Sequence, residues 1–137
     1  MTLLDHVLVP VAHPEDARKT AESLEPYDPE RVTVLHVVEK GGGVPDKTPV
    51  EQSESMAGEC YAAVREMFPD ADDHTAYGRD VVGKIFEAAE AVDASAIAYR
   101  SRGGGRIVQF LTGDLSLKLV TRAERPVIAL PRLDDDR

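Results

Sequence analysis

Residues 97–131 read I-A-Y-R-S-R-G-G-G-R-I-V-Q-F-L-T-G-D-L-S-L-K-L-V-T-R-A-E-R-P-V-I-A-L-P. A short apolar run turns through three consecutive glycines, Gly103 to Gly105. An amphipathic segment then begins at Gly113, and a second apolar run closes the stretch from Pro126 to Leu130. Strand, glycine loop, helix and strand, in that order, is how an α/β protein builds an anion or nucleotide site at a helix N-terminus.

The same alternation repeats upstream. His6 to Val11, H-V-L-V-P-V, reads as a buried strand, with Pro10 near its end because proline has no amide to give a ladder. Pro14-Glu15-Asp16 marks a helix start, with acids facing the positive end of the dipole, and Pro26 and Pro29 stop that helix after about Leu24. Arg31 to Val38 is the clearest strand, nearly continuous in β-branched residues, and His36 within it is expected to be packed and hydrogen-bonded. Gly41 to Pro49 is a connecting loop. A helix is expected from Val50 to about Phe68, with Met56, Cys60, Ala63 and Met67 as its core face and Pro69 as its stop.

Asp73 to Tyr77 is mostly polar, which suits a sheet edge. Gly78 turns the chain, and Asp80 caps a helix that buries Val81, Val82, Ile85, Phe86 and Ala89 and fades near Val92. Ala94 to Tyr99 is the next strand. The last helix runs from Gly113 to Arg122, with Leu115, Leu117, Leu119 and Val120 supplying its contacts. Five strands alternating with four helices predict a single α/β domain over residues 1–132, with a parallel sheet of order 3-2-1-4-5 and helices on both faces. The acidic end, residues 133–137, is expected to be disordered. In that topology the switch point lies between strands one and four. It sets Val11, Ala12 and His13 across a crevice from the loop that begins at Arg100.

Composition narrows the partners. The chain has 137 residues and a formal net charge of −9, with 25 acidic against 16 basic side chains. That field opposes binding to nucleic acid, whose phosphates need clustered Lys and Arg. Only five of the basic residues are lysine, a surface chemistry that also fits a salt-loving cytoplasm. No apolar run reaches the ~18 residues of a membrane span, so a soluble cytoplasmic protein is expected. The single cysteine, Cys60, forms no internal disulfide and reads as a small core residue.

The segments D-H-V-L-V-P-V (5–11), V-T-V-L-H-V-V (32–38) and R-P-V-I-A-L-P (125–131), with nine residues between Gly103 and Gly113, resemble the universal stress protein family over nearly the whole chain. The resemblance implies the α/β fold of adenine nucleotide alpha hydrolase-like proteins. It also implies a homodimer that pairs through the last strand, Val127 to Leu130. Many members of that family bind ATP through Gly, two residues, Gly, nine residues, Gly and then Ser or Thr. An aspartate after the first strand usually contacts the base or sugar.

This chain departs from that pattern at three places. Gly103 and Gly113 hold the second and third glycine positions, but the first is Arg100. The Ser/Thr position is Asp114, and Ala12 stands where the aspartate is expected. A carboxylate beside a phosphate oxygen at ~4 Å costs on the order of 4 kcal/mol at an effective dielectric of about 20. The residues placed by resemblance around a nucleotide are therefore Pro10, Val11, Ala12, Val37, Arg100, Arg102, Gly103, Gly113 and Asp114. Arg100, Arg102 and Arg106 keep the loop basic: they either recognise an anion or pair internally with Asp114, Asp80 or Asp93.

Two functions follow as expectations. One is a stress-response module that dimerises and contacts an unidentified protein, with no obligatory cofactor and no usual ATP binding. The other is a switch that binds ATP or AMP through the altered Gly/Arg loop. There is no Walker-type Gly-Lys-Ser/Thr, no Cys/His metal spacing and no nucleophile elbow, so neither a catalytic nor a metal-ligating residue is assigned. His13 is the one candidate base near the crevice.

Overall fold

The β-branched runs form strands and the amphipathic runs form helices in the expected order. The computed structural model describes residues 2–39, 50–100 and 113–131. The elements are β1 (Val7–Val11), α1 (Pro14–Leu24), β2 (Val32–Glu39), α2 (Val50–Arg65), β3 (Asp72–Gly78), α3 (Val81–Ala91), β4 (Ala96–Arg100), α4 (Gly113–Thr121) and β5 (Val127–Leu130). A single 3-10 turn, Glu25–Tyr27, follows α1. The sheet order is β3-β2-β1-β4-β5, and every pair is parallel. The doubly wound topology read from the sequence is the one observed. The acidic end, with the expected disorder of 133–137, lies outside the described residues.

Alternation along the strands sends side chains to two separate cores. Val7, Val9, Val11, Val34 and Ala98 pack with Ala17, Ala21 and Leu24 of α1 and with Ala57, Cys60, Tyr61 and Val64 of α2. Leu8, Leu35, Val37, Ile97 and Tyr99 pack on the opposite face with Val81, Val82, Ile85 and Phe86 of α3 and Leu119 of α4. Burial on both faces explains why β1, β2 and β4 read as unbroken apolar runs.

Local chemistry sets several boundaries. The Asp80 carboxylate accepts from the Gly83 amide at 3.2 Å, so the expected cap of α3 is in place. At the start of β1 the His6 amide donates to Ser95 Oγ at 2.8 Å, and His6 Nε2 lies 2.7 Å from Thr33 Oγ1. That buried knot ties β1 to its neighbours on both sides.

Two expectations need correcting. Helix α2 stops at Arg65 rather than Phe68. There the Arg65 guanidinium donates to the Ala71 carbonyl at 2.9 Å and to Asp73 at 2.7 Å, drawing the chain back toward β3. Met67, past the helix end, is exposed, and the stripe that meets the sheet is Ala57, Cys60, Tyr61 and Val64. In α4, Leu119 is fully buried, but Leu117 and Val120 are 61% and 53% exposed. Only one of those three residues faces the core.

Candidate functional site

The crevice lies at the C-terminal ends of β1 and β4, where the chain direction across the sheet reverses. β1 is paired with β2 up to Val11↔His36, and β4 with β5 up to Arg100↔Leu130. Between β1 and β4, however, the register stops at Leu8↔Ile97. The next position of β1 that faces β4 is Pro10, which has no amide to continue the ladder, so the hydrogen-bonded register at the centre of the sheet is shorter than on either flank.

Pro10 and Val11 form one wall of the crevice, and both are buried. Ala12 follows in a bend, half-buried, and His13 is exposed at the N-cap of α1, where its side chain makes no capping bond. Arg100 ends β4 on the other wall and is only 6% exposed. Gly113 and Asp114 open α4. Val37 belongs to the apolar cluster that also holds Tyr99 and Leu119. Arg102, Gly103 and Arg106 lie outside the described residues, as does the Asp114 side chain.

The proposed internal partners of the arginines are partly assigned elsewhere. Asp80 faces Arg122 at 3.5 Å besides capping α3. Asp93 is exposed and sits in a left-handed conformation with φ 59° just after α3. Asp80 is thus engaged at the start of α3, and Asp93 lies just past its end.

The floor of the site beside β1 is polar and held in a defined state. His36 Nδ1 lies 3.3 Å from the Val11 carbonyl oxygen. A carbonyl only accepts, so that nitrogen carries the proton of the neutral ring. Burial holds the His36 ring below its ordinary pKa, and neighbouring His13 adds to the effect, while the Val11 carbonyl works against it. Tyr61 donates its hydroxyl to the His74 carbonyl at 2.9 Å and meets Thr75 Oγ1. Its pKa is pushed up to about 12, mainly by burial. Burial first, then Asp16 and Glu59, push the Cys60 thiol up to about 12 as well. Near pH 7 the Tyr61 hydroxyl and the Cys60 thiol keep their protons and the His36 ring is neutral.

Sequence reasoning anticipated the packed His36 but missed Asp16. It reads only as a first-turn acid facing the positive end of the helix dipole, and its burial, 8% exposed, was not anticipated. Its position one residue before Ala17, on the inner stripe of α1, was the available signal. Among the described residues there is no cluster of three or more His, Cys, Asp or Glu that suits a metal ion.

Comparison with known proteins was made against this geometry. The model of the universal stress protein family matches residues 4–131. No curated protein matches the chain. Among solved structures, the universal stress protein from Archaeoglobus fulgidus in complex with dAMP superposes with a TM-score of 0.68 at 19% identity, covering 94% of this chain and 99% of that one. The Lactobacillus plantarum universal stress protein UspA gives 0.61 at 18% identity, with 95% and 99% covered. A universal stress protein family protein from Arabidopsis thaliana with AMP bound gives 0.57 at 20% identity, with 95% and 93% covered. At these identities the superpositions establish the shared fold.

Proposed function

The chain belongs to the universal stress protein family, and from that premise we propose that it acts in stress response as a homodimeric, non-enzymatic contact module whose crevice does not take ATP in the family's usual way. The observation that carries this reading is the burial of Arg100, 6% exposed at the end of β4. It stands at the first glycine position of the nucleotide pattern. A side chain there fills space that glycine leaves to a ligand. A buried guanidinium also needs partners of its own, which it would have to exchange for a phosphate. Ala12 adds no polar group for a sugar or base.

The dimer is proposed through β5, which lies at the sheet edge with Ala129 exposed. Unpaired edge strands are normally covered. Apolar surface flanks this one on both faces of the sheet. On one side a groove of about 250 Å³ is lined by Leu3, Leu4, Tyr27 and Ile128 among others. On the other are the exposed Leu117 and Val120 of α4. A second copy related by a two-fold axis suits such a self-complementary strip. Among the described residues no helix is long and apolar enough to cross a membrane.

The second reading, a nucleotide-binding switch, is favoured by the dAMP and AMP bound to two structural neighbours and by the three arginines of the loop. Calorimetric titration with Mg-ATP, at low salt and in molar KCl, separates the two. The module reading expects no heat and no shift in Tm in either salt with the native protein, and binding once Arg100→Gly restores the glycine. Micromolar binding by the native protein overturns it in favour of the switch.

A further inference from the structure

Beside β5, on the face covered by α1, Leu3, Leu4, Leu24 and Tyr27 line an apolar groove of about 250 Å³ together with residues 128–131, and no lining residue is charged. Leu3 and Tyr27 stay 49% and 47% exposed there. Backbone polar groups border the groove. The Ile97 amide donates to the Pro126 carbonyl at 2.9 Å, so even-numbered residues of β5 face β4. The amides and carbonyls of Val127 and Ala129 then face the open edge. An apolar groove beside an open strand edge fits an extended, uncharged segment that adds a strand. The chain supplies such a segment in β5 itself, V-I-A-L.

We propose that the groove is one half of a two-fold seam, in which Ile128 packs against Ile128 of the partner subunit and Tyr27 of each copy closes over Pro131 of the other. The inference rests on the reading of β5 as the dimer edge, and adds its register and a contact from the end of α1. Three antiparallel registers bring edge-facing residues together. Val127 against Ala129 of the partner subunit gives every edge amide and carbonyl of both residues a partner. Ala129 against itself sets Pro131 opposite Val127, and proline has no amide for the Val127 carbonyl. Val127 against itself leaves Ala129 opposite Arg125, in the bend before the strand. The first register is therefore the best satisfied. It stands Ile128 opposite its symmetry mate in a non-hydrogen-bonded pair, with both side chains on the same face. That face is the α1 side, because Ile128 and Leu130 belong with the cluster of α1 and α2. Tyr27 lies between α1 and β2, toward the sheet edge where strands begin. The partner strand runs the other way and brings its Pro131 to that end.

Cysteine scanning under oxidised glutathione tests the register, with the buried Cys60 left in place. Ile128→Cys should yield a disulfide-linked dimer, mapped to position 128 by peptide mass spectrometry, since directly opposed Cβ atoms lie close enough to bridge. Val127→Cys and Ala129→Cys should not link to themselves. Linking at 127 or 129 in preference to 128 overturns the register. In sedimentation equilibrium, Tyr27→Ala should weaken the dimer by about tenfold or more, as truncation of a buried interface aromatic does, and Tyr27→Phe should not. A dimer indifferent to Tyr27→Ala overturns the α1 contact. A native protein that stays monomeric at every concentration, its groove left to a foreign strand, overturns the dimer reading and the seam with it. A native dimer with no link at 128 overturns the seam alone.

Discussion

The ring of His36 on β2 donates from Nδ1 to the main-chain carbonyl of Val11 on β1, at 3.3 Å. At the opposite end of the same strand pair, His6 on the β1 side meets Thr33 of β2 at 2.7 Å. Buried imidazoles thus fasten β1 to β2 at both ends.

Both rings have pKa values lowered from the ordinary 6.5, in each case first by burial. For His6, Arg31 lowers it further, while Asp72, Asp93 and the Val92 backbone oppose the shift. A lowered folded pKa means the unfolded chain binds more protons as pH falls through 6.5, so stability is full above that value and is lost below it. Thermal melts should show Tm falling from pH 7 to pH 5. His36→Gln, which keeps a donor but cannot gain the charge, should flatten part of that slope. An unchanged slope in both His36→Gln and His6→Gln would count against this account.

Position 114 tests the electrostatic half of the crevice reading. In the background of Arg100→Gly, Asp114→Ser should tighten Mg-ATP binding by tenfold or more, since one removed unit charge at close range is worth ~1.4 kcal/mol or more. Calorimetry reads the difference directly. Equal affinities would mean that the carboxylate points away from the phosphates.

The edge strand offers a clean separation of dimer from fold. Ile97 donates to Pro126, so alternation turns the amides of Val127 and Ala129 to the open edge. Ala129→Pro deletes an edge donor without removing a rung to β4. Light scattering should then report a monomer with Tm lowered only to the extent that dimerisation had raised it. A dimer that survives this change is not built on β5.

Within α4, neighbours should differ sharply. Leu119→Ala removes a fully buried side chain and should cost ~2–4 kcal/mol in urea unfolding. Leu117→Ala, at 61% exposure, should fall within about 0.5 kcal/mol for the monomer. In the dimer it should cost more if α4 joins the interface, which the concentration dependence of unfolding will show.

Cys60 is fully buried, with its thiol pushed up to about 12. An aromatic disulfide reagent should label it only through opening of the α1–α2 layer, at a rate far below that of a free thiol at the same pH and rising with denaturant. Fast labelling of the native protein would contradict the packing seen here.

The sheet was legible because β-branched runs and proline stops leave little choice of topology. Helix α2 shows where that reading ends. Its expected face of Met56, Cys60, Ala63 and Met67 is as periodic as Ala57, Cys60, Tyr61 and Val64, and the sequence alone does not choose between them. The burial of Asp16 was not legible for a similar reason: it follows from the place of α1 over β1 and β4 rather than from the residue's position in the first turn. At the site, residue identities were readable from the glycine spacing. The end of the β1–β4 register was not, because it depends on which way position 10 faces, a matter of register rather than composition.

The seam between β1 and β4 carries two paired positions, against five between β1 and β2 and four between β4 and β5. Side-chain packing therefore does more of the joining there, and α1 supplies much of it: Ala17, Ala21 and Leu24 pack in one cluster with Val7, Val9 and Val11 of β1 and Ala98 of β4. The half formed by β3, β2 and β1 is thus keyed to the half formed by β4 and β5 through small side chains of a single helix, so a larger side chain at Ala17 or Ala21 would act as a wedge on both halves at once.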